Sequence, residues 1–152
     1  VQSGIAANEL KLRTKLEAVA ATFLTFKTIT VCCVCVEPHA KVTPSEFEDL
    51  LDQLPEPYLV VGDFNAHSSF WGIDKTDKRG QILEDFILCN NVCLLNTGKP
   101  TYSSPRSGKM SCIDLSFSSP SIFSDFKWDV IDNPYGSDHL PVVISLSSSP
   151  AV

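Results

Sequence analysis

Along the 152 residues the spacing of apolar positions changes period several times, and each change marks an element. Residues 16–24 and 28–36 are short runs rich in Val, Ile, Thr and Phe on either side of a three-residue break, the pattern of a β-hairpin. Thr43-Pro44-Ser45-Glu46 then carries a helix start: a capping hydroxyl, proline at the first helical position, and a glutamate three residues after the cap. Phe47, Leu50, Leu51 and Leu54 fall on one face of that helix, and Pro55 and Pro57 end it. The continuous apolar run Tyr58-Leu59-Val60-Val61 has the length of a buried strand and delivers Gly62-Asp63-Phe64-Asn65 at its carboxyl end. After a loop, Asp77 is placed to cap a second helix whose apolar positions Ile82, Leu83, Phe86 and Ile87 keep helical spacing. From there the chain reads as short strands over 92–96, 101–103, 111–117, 126–131 and 139–146. Helices that alternate with strands early, and strands that run together later, predict an α/β sandwich of mixed sheets with chemistry on the loops at strand ends.

Composition changes this picture little. With 43% hydrophobic and 20% charged residues the chain lies near the globular average, and its length suits a single domain, 1–152. No apolar run approaches the length that crosses a bilayer, which predicts a protein with no membrane partner. The formal net charge of −6 excludes a protein that coats nucleic acid through its overall field, so any DNA contact must be local. Lys75, Lys78 and Arg79, and later Lys99, Arg106 and Lys109, are the local basic residues, read here as solvated loop charges. Six cysteines lie mostly inside apolar runs, which predicts buried thiols in a reducing, intracellular compartment. Cys32 and Cys35 form a C-x-x-C, but alternation along a strand sends them to opposite faces and nothing nearby completes a zinc site. His39 is assigned no role.

The candidate chemistry stands at the ends of three separate predicted strands: Asp63 with Asn65, Asp114 beside Ser111, and Asp138 with His139. Hydrolysis of a phosphodiester needs a hard cation against the phosphate charge, a group that orients or deprotonates water, and a donor for the charge that builds on the phosphoryl oxygens. Asp63 suits the water-orienting role, the Asn65 amide can donate to a phosphoryl oxygen, and His139 is the natural proton carrier, with Asp114 as the carboxylate that would fix its tautomer. His67 and Trp71 are candidate substrate contacts. Each has a plainer alternative, a loop histidine and a packed aromatic.

Taken together, Gly-Asp-Phe-Asn at 62–65, Ser-x-Ile-Asp at 111–114 and Ser-Asp-His-x-Pro at 137–141 resemble the endonuclease/exonuclease/phosphatase superfamily. Ala66-His67-Ser68-Ser69-Phe70-Trp71-Gly72, Arg79-Gly80, Leu95-Asn96-Thr97-Gly98 and Pro100-Thr101-Tyr102 narrow the resemblance to endonucleases of non-LTR retrotransposons. It implies a DNase I-like, four-layer α/β/β/α sandwich of which this chain is the carboxy-terminal portion, with the amino-terminal strands and their Asn and metal-binding Glu lying before Val1. It also implies Mg²⁺ or Mn²⁺, DNA as partner, and a reverse transcriptase domain in the same parent polyprotein, acting in the nucleus. By the same resemblance Asp63, Asn65, Asp114 and His139 are catalytic, Asp138 and Asp63 assist at the metal, and Asn65, His67, Trp71 and Ser111 contact substrate. Cys35 and Glu37 stand where the family commonly has Tyr and Pro. Glu17 is a substitute metal ligand only if it leaves its strand alternation. The expected function is DNA nicking, impaired in this chain by itself. The alternatives are a catalytically inactive or repurposed module, and a phosphodiesterase or phosphatase acting on a phosphorylated lipid.

Overall fold

The computed structural model describes residues 4–25, 27–72 and 75–147. The predicted hairpin is present as β2 (Glu17–Leu24) and β3 (Thr28–Cys35), preceded by a strand the sequence reading missed, β1 (Ala6–Leu10). Then come α1 (Pro44–Leu51), β4 (Tyr58–Asp63), α2 (Lys78–Cys89), β5 (Cys93–Leu94), β6 (Tyr102–Ser103), β7 (Met110–Ser111), β8 (Asp114–Ser118), β9 (Phe126–Val130) and β10 (Val142–Leu146). Six strands form one mixed sheet in the order β1-β2-β3-β4-β8-β5. Among the described residues the single parallel pairing, β3 with β4, is made possible by the α1 crossover, since parallel neighbours cannot be joined by a tight turn.

Side chains alternate across this sheet, and each face builds its own core. On one face Cys32, Val34, Val60, Leu115 and Phe117 meet Phe47 and Leu50 of α1 and Leu83, Phe86 and Ile87 of α2. On the other, Leu59 and Val61 of β4 meet Trp128 and Val130 of β9 and Val142 and Ile144 of β10, a second, two-stranded sheet. The Trp128 indole N–H donates to Ser116 Oγ of β8 at 3.1 Å and ties the two sheets together. Three layers are therefore present, helices over sheet over sheet. Among the described residues no helix covers the outer side of β9 and β10, so the fourth layer of the expected sandwich is not seen. The β9–β10 pair lies over β4 and β8 and leaves Val19 of β2 71% exposed.

The helix starts follow the sequence signals. The Thr43 N–H donates to the Glu46 carboxylate at 2.8 Å, and Asp77 Oδ1 accepts from the Gly80 N–H at 2.6 Å. Burial would raise the Asp77 carboxyl, but the hydrogen bonds from Gly80 and His67 outweigh it and hold the group below its ordinary value. The cysteine expectation is corrected: only Cys32 and Cys112 are buried, whereas Cys33, Cys35 and Cys89 are exposed. Burial, with a smaller contribution from Cys33, pushes the Cys32 thiol up to about 11 and makes it a packing residue. Cys35 lies on the opposite face, as alternation requires.

Because Asp77 has a lower value folded than unfolded, its contribution to stability is present above the unfolded value and is lost as pH falls through the folded one. Asp77→Ala should therefore cost about 1 kcal/mol at neutral pH. In urea titrations the gap from wild type should close in acid; a gap independent of pH would overturn the capping assignment.

Candidate active site

The site grows from the carboxyl end of β4. Gly62 lies so close to β3 that a Cβ there would sit 1.8 Å from the Val34 carbonyl oxygen, so no other residue fits. Phe64, 1% exposed, turns to the helical side and meets Phe117 edge-on at 5.2 Å. Asp63 consequently points to the opposite face, and Asn65 closes the turn at φ 46°, a left-handed conformation that asparagine tolerates better than most residues. The Asn65 N–H donates to Asp63 Oδ1 at 2.9 Å, while its side-chain Nδ2 donates to Asp63 Oδ2 and to the Val36 carbonyl, both at 3.0 Å. Both amide hydrogens are thus engaged inside the protein. The simple expectation of an Asn65 donor waiting for a phosphoryl oxygen is corrected accordingly.

Asp114 opens β8 directly opposite Asp63 in the antiparallel register. His139 arrives from the far end of the chain on a segment stitched to 101–103: the Ser103 N–H donates to the Asp138 carbonyl at 2.8 Å and the Leu140 N–H to the Thr101 carbonyl at 2.7 Å. Its Nδ1 lies 3.0 Å from Asp114 Oδ2, and its Nε2 lies 4.0 Å from Asp63 Oδ2. One ligand atom from each of Asp63, Asp114 and His139 fits within a group whose members all lie within 4.8 Å of one another. Burial is the main cause that holds the Asp63 carboxyl above its ordinary value, and Asp114 adds to it, against the hydrogen bonds from Asn65 and the charge of His139. The residues fit a hard divalent cation. Two carboxylates and an imidazole are suitable donors, and the mutual repulsion of Asp63 and Asp114 is what a bound cation would relieve.

Other expectations are corrected. Trp71 is 2% exposed and its indole N–H donates to the Ala66 carbonyl at 3.3 Å, so the plainer alternative holds and no base can stack on it. Ser111 is 5% exposed, its carbonyl taken by the Thr101 N–H, so little of it is open to a substrate. Asp138 is exposed and its side chain stands outside the three-residue group. His67 pairs with Asp77 at 3.0 Å. Glu17 shares the face of Asp63 but lies two strands away, through Cys35, and does not join the group.

Sequence reasoning also missed residues that hold the site in place. Thr101, fully buried, accepts the N–H groups of Ile113 and Asp114 on its hydroxyl at 3.2 and 3.1 Å. Asn96 donates to the Asp114 carbonyl at 2.9 Å, and the Tyr102 ring lies 5.0 Å from the His139 ring. Arg79 is no solvated loop charge: it donates to the carbonyls of Phe64, Asn65, Glu37, Pro38 and Ala40. The only sequence signal for these four was their place in the phrases between the main motifs.

This fold, with carboxylates and an imidazole gathered at strand ends, defines a DNase I-like domain of the endonuclease/exonuclease/phosphatase type. The family model described as "Endonuclease-reverse transcriptase" matches residues 29–143, more than half of the chain, and the chain belongs to that family. Among curated proteins it is 31% identical over 112 residues to a probable RNA-directed DNA polymerase from transposon X-element of Drosophila melanogaster, covering 73% of this chain and 12% of that protein. It is 27% identical over 124 residues to the RNA-directed DNA polymerase from mobile element jockey of the same species, covering 81% and 13%. The chain thus spans about one-eighth of the length of these relatives. Among solved structures, the endonuclease domain of TRAS1, a telomere-specific non-LTR retrotransposon, aligns with a TM-score of 0.75 at 22% identity over 94% of this chain and 80% of that one. The 3'-5' exonuclease NExo from Neisseria meningitidis aligns at 0.68 and 15% identity, with the same coverage. Among the described residues no helix is long and apolar enough to cross a membrane.

The burial and repulsion at Asp63 oppose folding, so Asp63→Asn should raise the thermal midpoint at neutral pH even though it removes a carboxylate from the candidate site. Differential scanning calorimetry checks this, and a lowered midpoint would show that Asp63 is a net stabiliser of the fold.

Proposed function

We propose that the chain is the catalytic part of a divalent-cation-dependent endonuclease that nicks DNA and leaves a 3′ hydroxyl for a reverse transcriptase in the same parent polypeptide, acting where chromosomal DNA lies, in the nucleus. The observation that carries the reading is the convergence of Asp63, Asp114 and His139, 51 and 76 residues from the first to the other two in sequence, into one group within 4.8 Å. Asp63 and Asp114 would hold Mg²⁺ or Mn²⁺, with His139 beside them. Such a cation, when bound, supplies positive charge against the phosphoryl oxygens.

The chain's own residues divide the remaining work. Asp114 occupies Nδ1 of His139 and so turns Nε2 toward Asp63. When the imidazole carries both protons, Nε2 can donate to a phosphoryl oxygen as charge accumulates there. Asp63, held above the usual carboxylate value by burial and by Asp114, is a stronger base than an exposed aspartate and suits the orientation or deprotonation of water. Asn65 keeps Asp63 aimed, and reaches the scissile phosphate only by exchanging one of its internal hydrogen bonds for it. His67 remains a candidate contact to DNA.

A second reading, a non-catalytic module, is favoured by the small size of the group: among the described residues two carboxylates and one imidazole gather, and Glu17 stays apart. A third, hydrolysis of a phosphorylated lipid, has no observation in its favour beyond the shared chemistry.

The deciding experiment is a supercoiled-plasmid assay with Mg²⁺ or Mn²⁺, beside a lipid-phosphate assay, on this chain and on a longer polypeptide that carries it. Nicking that needs the cation and falls by about 10²-fold or more in His139→Ala, with DNA binding retained, is the expected result. Equal nicking by variant and wild type would reject the site, and no nicking by either polypeptide would leave the non-catalytic module.

A further inference from the structure

Charge is distributed unevenly around the site. On one side Glu17, Asp63 and Glu37 all raise the Cys35 thiol, after burial, and so mark a negative strip along the sheet end. On the other side a cleft of about 500 Å³ opens between the loop 38–42 and the amino end of α2. Lys41, Lys78 and Arg79 line it together with Asn65, against one acidic residue, Asp77. That carboxylate is already engaged by the Gly80 N–H and by His67. In a chain of net charge −6, three cations around one cleft are a concentration that needs a reason.

We propose that this cleft binds a backbone phosphate of the DNA strand next to the one held at Asp63, through Lys41 and Lys78, with Arg79 as a fixed positive charge beneath them. The inference rests on the nuclease reading above and adds to it the course of the substrate strand. Three features carry it.

Asn65 belongs to both places, hydrogen-bonded to Asp63 on one side and lining the cleft on the other, so the cleft adjoins the site at that residue. Arg79 is immobilised by five carbonyl oxygens and keeps its charge in place without paying side-chain entropy when a ligand arrives. Lys41 and Lys78 are exposed and reach the cleft from its two walls, a loop and a helix, which suits a linear polyanion lying between them. Lys99, by contrast, is tied to Asp129. The amino end of α2 is capped by Asp77, so side chains carry the recognition, not the helix terminus.

The test is salt-dependent binding of a short fluorescein-labelled DNA duplex to the 152-residue chain in chelator, where nothing is cleaved, read by fluorescence anisotropy. The double variant Lys41→Ala, Lys78→Ala should bind about tenfold or more weakly at low salt, and the slope of log affinity against log salt should fall by about 1, for the one phosphate no longer neutralised. Lys127→Ala, an exposed lysine at the opposite end of β9, should leave the slope unchanged. Circular dichroism verifies that each variant is folded. A wild-type chain without salt-dependent binding, or a double variant with the wild-type slope, overturns the inference. The two proposals fail separately: a reduced slope without nicking in Mg²⁺ upholds the cleft and removes the nuclease, whereas intact nicking with an unchanged slope does the reverse.

Discussion

Two carboxylates stand directly opposite each other where β4 meets β8, and like charges in that position repel. The surroundings of Asp63 and Asp114 can be understood as the structure that makes this repulsion tolerable. His139 takes Asp114 as its partner through Nδ1, Asn65 gives Asp63 a backbone and a side-chain donor, and the Thr101 hydroxyl holds the Asp114 backbone in register. What the neighbours leave uncompensated is still enough to hold the Asp63 carboxyl above its ordinary value. A fold selected for stability alone would place an amide or an apolar residue at one of the two positions. Retention of both argues that something outside the chain completes the balance.

The support of this pair is distributed over the whole length of the chain. Phe64 pins the β4 turn into the helical core, Arg79 joins that turn to the loop after β3, and the backbone bonds between 101–103 and 138–140 bring in the histidine. Residues far apart in sequence therefore share one mechanical frame. Stability and chemistry divide along the sheet: the interior of β4 is apolar on both faces, that of β8 is apolar on the helical face and carries uncharged serines on the other, and the charged residues stand only where the strands end. That division is what an α/β architecture offers, since strand ends are rigidly placed and still open to ligands.

Much of this was legible in the sequence where a local pattern has one physical meaning. Proline after a capping threonine, a glutamate three residues on, and apolar residues at helical spacing can hardly be read otherwise, and α1 starts where they predict. The strand β4 and the motif residues Asp63, Asp114 and His139 were likewise legible, because an apolar run that ends in a polar cluster is unusual. What was not legible depends on partners remote in sequence. Nothing local tells that Trp71 folds inward while His67 stays at the surface, since both lie in one polar loop. Arg79 looks like any loop arginine until five carbonyls from two segments converge on it. The strand β1 escaped notice because four of its five residues are exposed, which removes the apolar alternation that marks a strand. Cys33 and Cys35 were misjudged for a related reason: their run is apolar, but they occupy a part of the sheet face that β9 and β10, lying over β4 and β8, leave open.

The register of β4 against β8 also bears on how such a sequence can change over time. Side chains alternate with a period of two, so inserting or deleting one residue within either strand would carry its aspartate to the helical side of the sheet. The loop 66–77 and the connection between β6 and β7 lie outside that ladder. Variation in length among descendants should therefore accumulate in those two segments, while the spacing from Tyr58 to Asp63 and from Asp114 to Ser118 stays constant. Relatives in which that spacing drifts would lose the facing of the two carboxylates.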